Sequence, residues 1–303
     1  MTIPLDAIQQ RARLLEDIRA FFKARNVLEV ETPLLSHHTV TDRYIESFEV
    51  ENKGFLQTSP EYAMKRLLSA GSGSIFQICK AFRQEESGHQ HNPEFTLLEW
   101  YRPGFDHQDL MDEMNELLMM AGNFKKAKRY AYRDLFKTHC DLDVFTCSDT
   151  EIKQQLENVN TSDLNRDTCL QLLLAEKIEP TLGFDSPAFI YDFPASQAAL
   201  SKIRQEDPPV AERFEVYING MEIANGFHEL TDAKEQEQRF KADQVYRKAN
   251  GLRIPEIDHR LITALKNGLP DCAGVALGVD RLLMCLMNKK TINDVIMFDW
   301  QNA

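Results

Sequence analysis

The chain has 303 residues, 43% hydrophobic and 27% charged, enough to bury a substantial core in one large or two modest domains. Thirty-five basic and 47 acidic side chains leave a formal charge of −12, a balance that leans against a surface built to grip RNA through many phosphates. No apolar run approaches the roughly 20 residues of a spanning helix, the start Met1-Thr2-Ile3-Pro4-Leu5-Asp6 shows no secretory signal, and Cys79, Cys140, Cys147, Cys169, Cys272 and Cys285 lack the spacing of a zinc site or disulfide frame, so the expected setting is reduced and cytoplasmic, with no membrane.

From Asp6 to about Lys23 the apolar residues Ile8, Ala12, Leu15, Ile18 and Phe22 predict an amphipathic helix. Asp6 with Gln9 resembles a capping box. Short strand-like runs follow at 27–31, 45–50 and 54–57. Thr58-Ser59-Pro60-Glu61 reads as a helix start, Ser59 capping and Pro60 in the first turn. Residues 75–83 and 95–102 read as strands around a turn-rich loop holding Gly88, Asn92 and Pro93. Helical patterns occupy roughly 107–121, 149–158 and 167–177, in a middle third that carries no motif. Phe214-Glu215-Val216-Tyr217-Ile218 and Met221-Glu222-Ile223-Ala224 flank Asn219-Gly220, the preferred pair for a two-residue hairpin. Helices from Asp232 to Lys248, closed by Asn250-Gly251, and near 258–267, ended by Gly268, precede a strand–helix unit from Gly274 to about Met287. The pattern favours one α+β domain around an antiparallel sheet.

In such a hairpin Ile218 faces Met221, Tyr217 faces Glu222 and Glu215 faces Ala224, so side chains 215, 217, 222 and 224 share one face. Glu215 and Glu222 become diagonal neighbours roughly 7–8 Å apart, close enough for both to reach one cation, and Glu229 beyond Asn225-Gly226 could reach the same cavity. On these residues alone a solvated acidic face and a cation site both stand. Apolar Met221, Ile223, Ala224 and Phe227 point to burial, and hard oxygen ligands suit Mg²⁺.

On the strand over 75–83, Ile75, Gln77, Cys79, Ala81 and Arg83 line one face, with Arg83 at the end where the loop begins. Arg281 sits in the first turn of the helix after Gly278. A planar guanidinium suits phosphate oxygens, and Gly274 and Gly278 let backbone approach a nucleotide. Each arginine alone also reads as a surface ion-pair member, and Phe95 as a core residue. Together, two arginines, a carboxylate face and an aromatic form the inventory of an enzyme that activates an amino acid with ATP.

Taken in order, these segments resemble the catalytic domain of class II aminoacyl-tRNA synthetases. Val30-Glu31-Thr32-Pro33 is similar to the first class motif, whose proline lies at a dimer interface; Phe82-Arg83-Gln84-Glu85 to the second; Gly278-Val279-Asp280-Arg281 to the third. Thr58-Ser59-Pro60-Glu61, His91-Asn92-Pro93-Glu94-Phe95 and Glu222-Ile223-Ala224-Asn225-Gly226-Phe227 narrow the likeness to the lysyl-tRNA synthetase branch. The anticodon-binding barrel of those synthetases is missing ahead of the helix near Asp6. Glu99-Trp100-Tyr101-Arg102-Pro103, His228 before Glu229, and Ala276 in place of glycine also depart from them. These features, with Ser59-Pro60-Glu61-Tyr62 and Phe189-Ile190-Tyr191-Asp192-Phe193-Pro194-Ala195-Ser196-Gln197, resemble the elongation factor P–lysine ligase family.

That resemblance implies ATP as co-substrate with Mg²⁺, (R)-β-lysine made by a partner aminomutase, elongation factor P as acceptor, a homodimer, and no tRNA. It implies Arg83 on the α-phosphate and Arg281 on the γ-phosphate, Glu85 and Asn92 at the adenine end, and Phe95 stacked on the base. Gln84, where the family often has asparagine, Ile223 and Gly278 lie beside the nucleotide, and Glu215 and Glu222 hold the metal. Ser59, Pro60, Glu61, Tyr101, Asn225, Glu229 and Ala276 line the amino-acid pocket, where the Ala276 methyl helps disfavour α-lysine. His228 is expected in a supporting structural role. A truncated synthetase charging RNA with lysine, a non-catalytic regulatory subunit and an ammonia-using amide synthetase are the rival readings.

Overall fold

The computed structural model describes residues 5–84, 88–157 and 159–303. In chain order its elements begin with α1 (Leu5–Ala24), β1 (Leu28–Glu29), β2 (Leu35–Ser36), β3 (Glu49–Val50), β4 (Gly54–Leu56), α2 (Glu61–Ser69), β5 (Ile75–Phe82) and β6 (Glu94–Pro103). Next come α3 (His107–Ala121), β7 (Lys128–Ala131), α4 (Tyr132–Cys140), α5 (Asp149–Gln154), α6 (Arg166–Leu173), β8 (Ala188–Pro194), β9 (Ile203–Arg204), β10 (Val210–Ile218) and β11 (Met221–His228). The chain closes with α7 (Ala233–Ala249), α8 (His259–Gly268), β12 (Cys272–Gly278) and α9 (Val279–Leu286). They form two compact units, Met1–Phe105 with Glu229–Ala303, and Asp106–His228. Both are built on mostly antiparallel strands flanked by helices, the α+β class the sequence predicts.

In the first unit β5, β6 and β12 pair antiparallel and β1 pairs parallel with β5. Directly opposed residues on paired strands point to the same side. One face is covered by α1, where Phe22 stacks on Phe76 at 4.6 Å between ring centroids and lies 5.3 Å from Trp100. Each such ring, fully buried, contributes about 2–3 kcal/mol. The buried stripe of α1 is Ala7, Leu14, Ile18, Phe21 and Phe22, so the predicted Ala12 is exposed instead. The stripe shifts because Arg11 belongs to it, paired with the buried Asp280 of α9, whose other oxygen accepts the Thr96 N–H at 2.7 Å. Asp6 is helical rather than the cap. Helix α2 starts at Glu61 with Pro60 in the cap position, so Ser59 stands one residue earlier than a cap, although its Oγ accepts the Glu61 N–H at 3.0 Å. The predicted strands at 27–31 and 45–50 shrink to β1 and β3.

In the second unit β10 pairs antiparallel with β8, β9 and β11, and β7 runs parallel to β8. Its core gathers Tyr132, Phe136 and Phe193, with Tyr132 4.6 Å from Phe136 and 4.8 Å from Phe193 between ring centroids. The predicted helices at 149–158 and 167–177 are shorter, α5 and α6, the latter passing into a π-turn over Leu174–Ile178. Helix α3 matches its predicted span, closed at its start by a capping box of Asp106 and Asp109.

Candidate active site

The face of β5, β6 and β12 turned away from α1 carries most of the predicted residues of the first unit. Register sets Gln77, Glu99 and Ala276 in one row, Ile75, Tyr101 and Gly274 in the next, and Cys79, Leu97 and Gly278 in a third, with Phe95 opposite Ala81. Arg83 leaves the end of β5, its N–H on Pro93 O at 3.0 Å and its Nε 3.4 Å from Thr58 O. The guanidinium carbon lies 5.1 Å from the Phe95 ring centroid, within cation–π range. Arg83 and Phe95, in separate motifs of the sequence, therefore stand side by side. Gln84 donates its N–H to Glu46 O at 2.9 Å, and Glu46 pairs with the fully buried Arg247. Glu85 lies outside the described residues.

Asn92 is buried, donating to Glu94 O at 2.6 Å and accepting the Trp300 N–H at 2.9 Å, so its carboxamide ties the loop to the end of the chain. Arg281, in the first turn of α9, donates to His91 Nε2 and lies 3.4 Å from Gln90 O through Nε. Asp280 fixes that turn from below. Gly278 caps α9 with φ −74°, a backbone open to any residue, so its glycine is not demanded by conformation. At Gly274 the demand is steric: a Cβ there would lie 2.3 Å from the Tyr101 ring and 2.6 Å from Glu229 Oε1, so glycine makes room for these two side chains.

The amino-acid residues of this unit do converge. Ser59 Oγ donates to Glu99 Oε2 at 2.8 Å and Tyr101 Oη to Glu99 Oε1 at 2.7 Å. Lys65 Nζ lies 2.6 Å from Glu61 Oε1 and 2.6 Å from Glu229 Oε2. Lys65, Glu99 and Glu229 are 2%, 2% and 1% exposed, so these charges have little water around them. Burial pushes Glu99 up to about 7, helped by the charge of Glu61 and resisted by the Tyr101 and Ser59 hydrogen bonds and by Lys65. Burial likewise raises Glu229, with Glu61 and Glu99 adding to it and Lys65 opposing. Burial alone would lower Lys65, yet Glu229 and Glu61 outweigh it and hold the ammonium above its usual range. Ala276 stands beside Glu99 on the same face.

In the second unit Asn219 and Gly220 have φ 53° and 73°, the paired left-handed residues of a type I′ turn. Tyr217 faces Glu222 as expected, but Glu215 faces Asn225 rather than Ala224. The correction comes from a β-bulge: Ile223 is an extra residue on β11, so the count slips by one beyond it. The bulge puts Glu215, Tyr217, Glu222 and Asn225 on one face. Ile223 itself is buried. Arg213 donates to Glu215 Oε1 at 2.5 Å, to Asn225 Oδ1 at 3.2 Å and to Gln197 O at 2.9 Å. Tyr217 Oη donates to Glu215 Oε2 at 2.7 Å. As a Mg²⁺ site the donor type fits, hard carboxylate oxygens on one face with Glu215 held in orientation by Arg213 and Tyr217. His228 Nδ1 donates to Glu212 Oε2 at 2.6 Å and its Nε2 accepts from Lys202 Nζ at 3.1 Å. That is a supporting arrangement.

Lys65, Glu99, Asp280 and Arg213 contact the candidate residues or the elements that carry them, and the sequence reading gave them no role. Glu99 carried a signal, a lone acid in the apolar run Leu97-Leu98-Glu99-Trp100-Tyr101, since a charge on a buried strand needs partners. Lys65 four residues after Glu61 reads as an ordinary surface helix pair.

Residues 5–301 match the profile of the tRNA synthetases class II (D, K and N) family. An elongation factor P–(R)-β-lysine ligase of Pseudoalteromonas translucida is 51% identical, over 98% of this chain and 96% of the relative. One of Vibrio cholerae is 51% identical over 100% and 98%, and one of Salmonella gallinarum 49% identical over 97% and 95%. No helix among the described residues is long and apolar enough to cross a membrane. With a profile match across nearly its whole length and relatives at half identity, the chain belongs to the class II tRNA synthetase family of the D, K and N type.

Proposed function

We propose that this chain is an ATP-dependent ligase that activates (R)-β-lysine as its adenylate and transfers it to a lysine side-chain amine of elongation factor P. The observation that carries the reading is the cluster of Glu61, Glu99 and Glu229, three carboxylates gathered with the Lys65 ammonium among them. Such a cluster suits a substrate with two ammonium groups, and a shorter or uncharged amino acid leaves a buried carboxylate unpaired. The half identity to the named ligases over nearly full length supports the same substrate and acceptor.

The substrate carboxylate attacks the α-phosphorus of ATP, forming the mixed anhydride and releasing pyrophosphate. The acceptor amine then attacks the carbonyl carbon, releasing AMP and forming the amide. Holding the reactants in line supplies roughly 7–11 kcal/mol of the barrier without an enzyme nucleophile. Arg83 takes the α-phosphate and Arg281 the γ-phosphate, with Gln84, Glu85, Asn92 and Gly278 around the nucleotide and Phe95 under the base. Ser59, Pro60 and Tyr101 complete the amino-acid pocket. Glu222 and Glu215 would hold Mg²⁺, which when bound neutralises phosphate charge. An ordinary lysine acceptor, pKa near 10.4, costs about 4.6 kcal/mol to deprotonate at pH 7, so the acceptor site must favour the free amine. We place the enzyme in the cytoplasm, supplied with β-lysine by an aminomutase. A homodimer through the Pro33 segment is supported by the exposed Leu28, Leu34 and Leu35 beside it; a monomer by sedimentation at working concentration removes that part.

The test is ATP–pyrophosphate exchange with α-lysine and both β-lysine enantiomers, followed by transfer from preformed adenylate to elongation factor P or to tRNA. (R)-β-Lysine and the protein acceptor should prevail; transfer to tRNA alone would make the chain an RNA-charging enzyme. Run in parallel, Ala276→Gly should raise α-lysine activation relative to β-lysine, and an unchanged ratio removes the role of that methyl.

A further inference from the structure

Lys65 is an uncommon feature, an ammonium only 2% exposed, gripped by two carboxylates that the proposed reaction needs for its substrate. We propose that Lys65 is a positioning residue that sets the charge of this pocket: by bridging Glu61 and Glu229 it leaves three carboxylates two negative charges short of neutrality, the charge of a substrate with two ammonium groups. The inference rests on the reading that this pocket takes a diammonium amino acid, and deepens it by naming what matches the count.

The groups on the elements packed around the cluster bear on this; helix α8, packed on α2, carries His259, Arg260 and Lys266, all three exposed to solvent. Helix α2 contributes Glu61, Tyr62 and Lys65; β5 contributes the Cys79 thiol; β6 contributes Glu99 and Tyr101; the residue after β11 is Glu229; β12 contributes only the uncharged Gly274 and Ala276. Burial first, then the neighbouring carboxylates, hold the Tyr62 and Tyr101 hydroxyls well above their ordinary values, and burial with Glu99 pushes Cys79 up to about 12, so all three stay neutral. Lys65 is thus the cation of the cluster and the carboxylates its anions. One oxygen of Glu61 and one of Glu229 meet Lys65, and Glu229 Oε1 faces Tyr101 across Gly274. The ammonium therefore fixes both carboxylates in rotamer while leaving each an oxygen.

The charge count has a protonic consequence. With Glu99 near 7 and Glu229 raised, the empty pocket holds a proton at neutral pH that a dication must displace. The KM for the diamino acid should then fall as pH rises from about 6 to about 9. In Lys65→Met the carboxylates lose the charge that holds them down, and that fall should move up by at least about one pH unit while the KM for ATP is unchanged. Lys65→Arg keeps the charge and should keep the midpoint. A merely structural lysine predicts instead a KM raised equally at every pH with its midpoint unmoved, and that result in folded Lys65→Met overturns the proposal. Glu61→Gln tests the count with the cation in place, and does so even where Lys65→Met fails to fold. It should raise acceptance of an analogue lacking the side-chain ammonium at least about tenfold relative to the diamino acid, and an unchanged ratio overturns the charge matching. Failure of the functional reading looks different: no diamino acid supports exchange in the unaltered enzyme.

Discussion

Replacing Arg83 with alanine is expected to lower ATP–pyrophosphate exchange by about 10²–10³-fold, the cost of about 2.7–4 kcal/mol for losing one preorganised donor to developing charge. The structure explains why a neighbour cannot stand in. Arg83 is fixed at the end of β5 by its N–H to Pro93 O at 3.0 Å and its guanidinium sits by the Phe95 ring at 5.1 Å. A base stacked on Phe95 would meet that guanidinium at a set height. Lysine is a point charge without the fork, so Arg83→Lys should recover little. The loss should fall on kcat more than on the KM for the amino acid. Exchange rates at saturating β-lysine, with thermal unfolding as a control for folding, check it.

Glu229→Gln should act on the other half of the reaction. Removing one partner of a buried pair costs about 3–5 kcal/mol, though Lys65 keeps Glu61 at 2.6 Å. We expect the KM for β-lysine to rise about 10²-fold or more and the KM for ATP to hold. A second readout follows from linkage. Burial raises Glu229 in the folded state, whereas in the unfolded chain a glutamate titrates near about 4.3. The folded protein thus binds more protons than the unfolded one above that value, and substrate-free stability falls as pH rises toward the folded pKa. Lys65, raised and fully charged throughout this window, contributes a constant amount. Glu229→Gln should flatten the fall in melting temperature between about pH 5 and about pH 8, and a slope identical to that of the unaltered protein would falsify the assignment of that proton.

The parts of this architecture that are legible in sequence are those that short-range chemistry decides. Asn219-Gly220 demands its turn, the α3 pattern its helix, and the run from Phe82 to Glu85 places Arg83 at a strand end. What escapes depends on distant partners. The α1 stripe is misread because Arg11 is satisfied by Asp280, 269 residues away. The strands β7 and β8 lie in a stretch where Lys128-Arg129-Tyr130-Ala131 is too brief to show a period and Ala188-Phe189-Ile190 reads as a plain apolar run. The acid pocket is half legible: Glu61 and Glu229 stand in matched motifs, but the burial that changes the protonation of Glu229 comes from elements packed around it that are distant in sequence.

The extra residue at Ile223 works like a shift in reading frame. Glutamate and asparagine three positions apart look helical when spacing alone is counted, yet here they stand side by side on a ribbon. Excising that single isoleucine would straighten the ladder and leave Asn225 opposite Glu215, whereas a flat ladder that kept it would turn Asn225, with everything after it on β11, to the opposite side, so one irregular residue decides which way half of the hairpin looks.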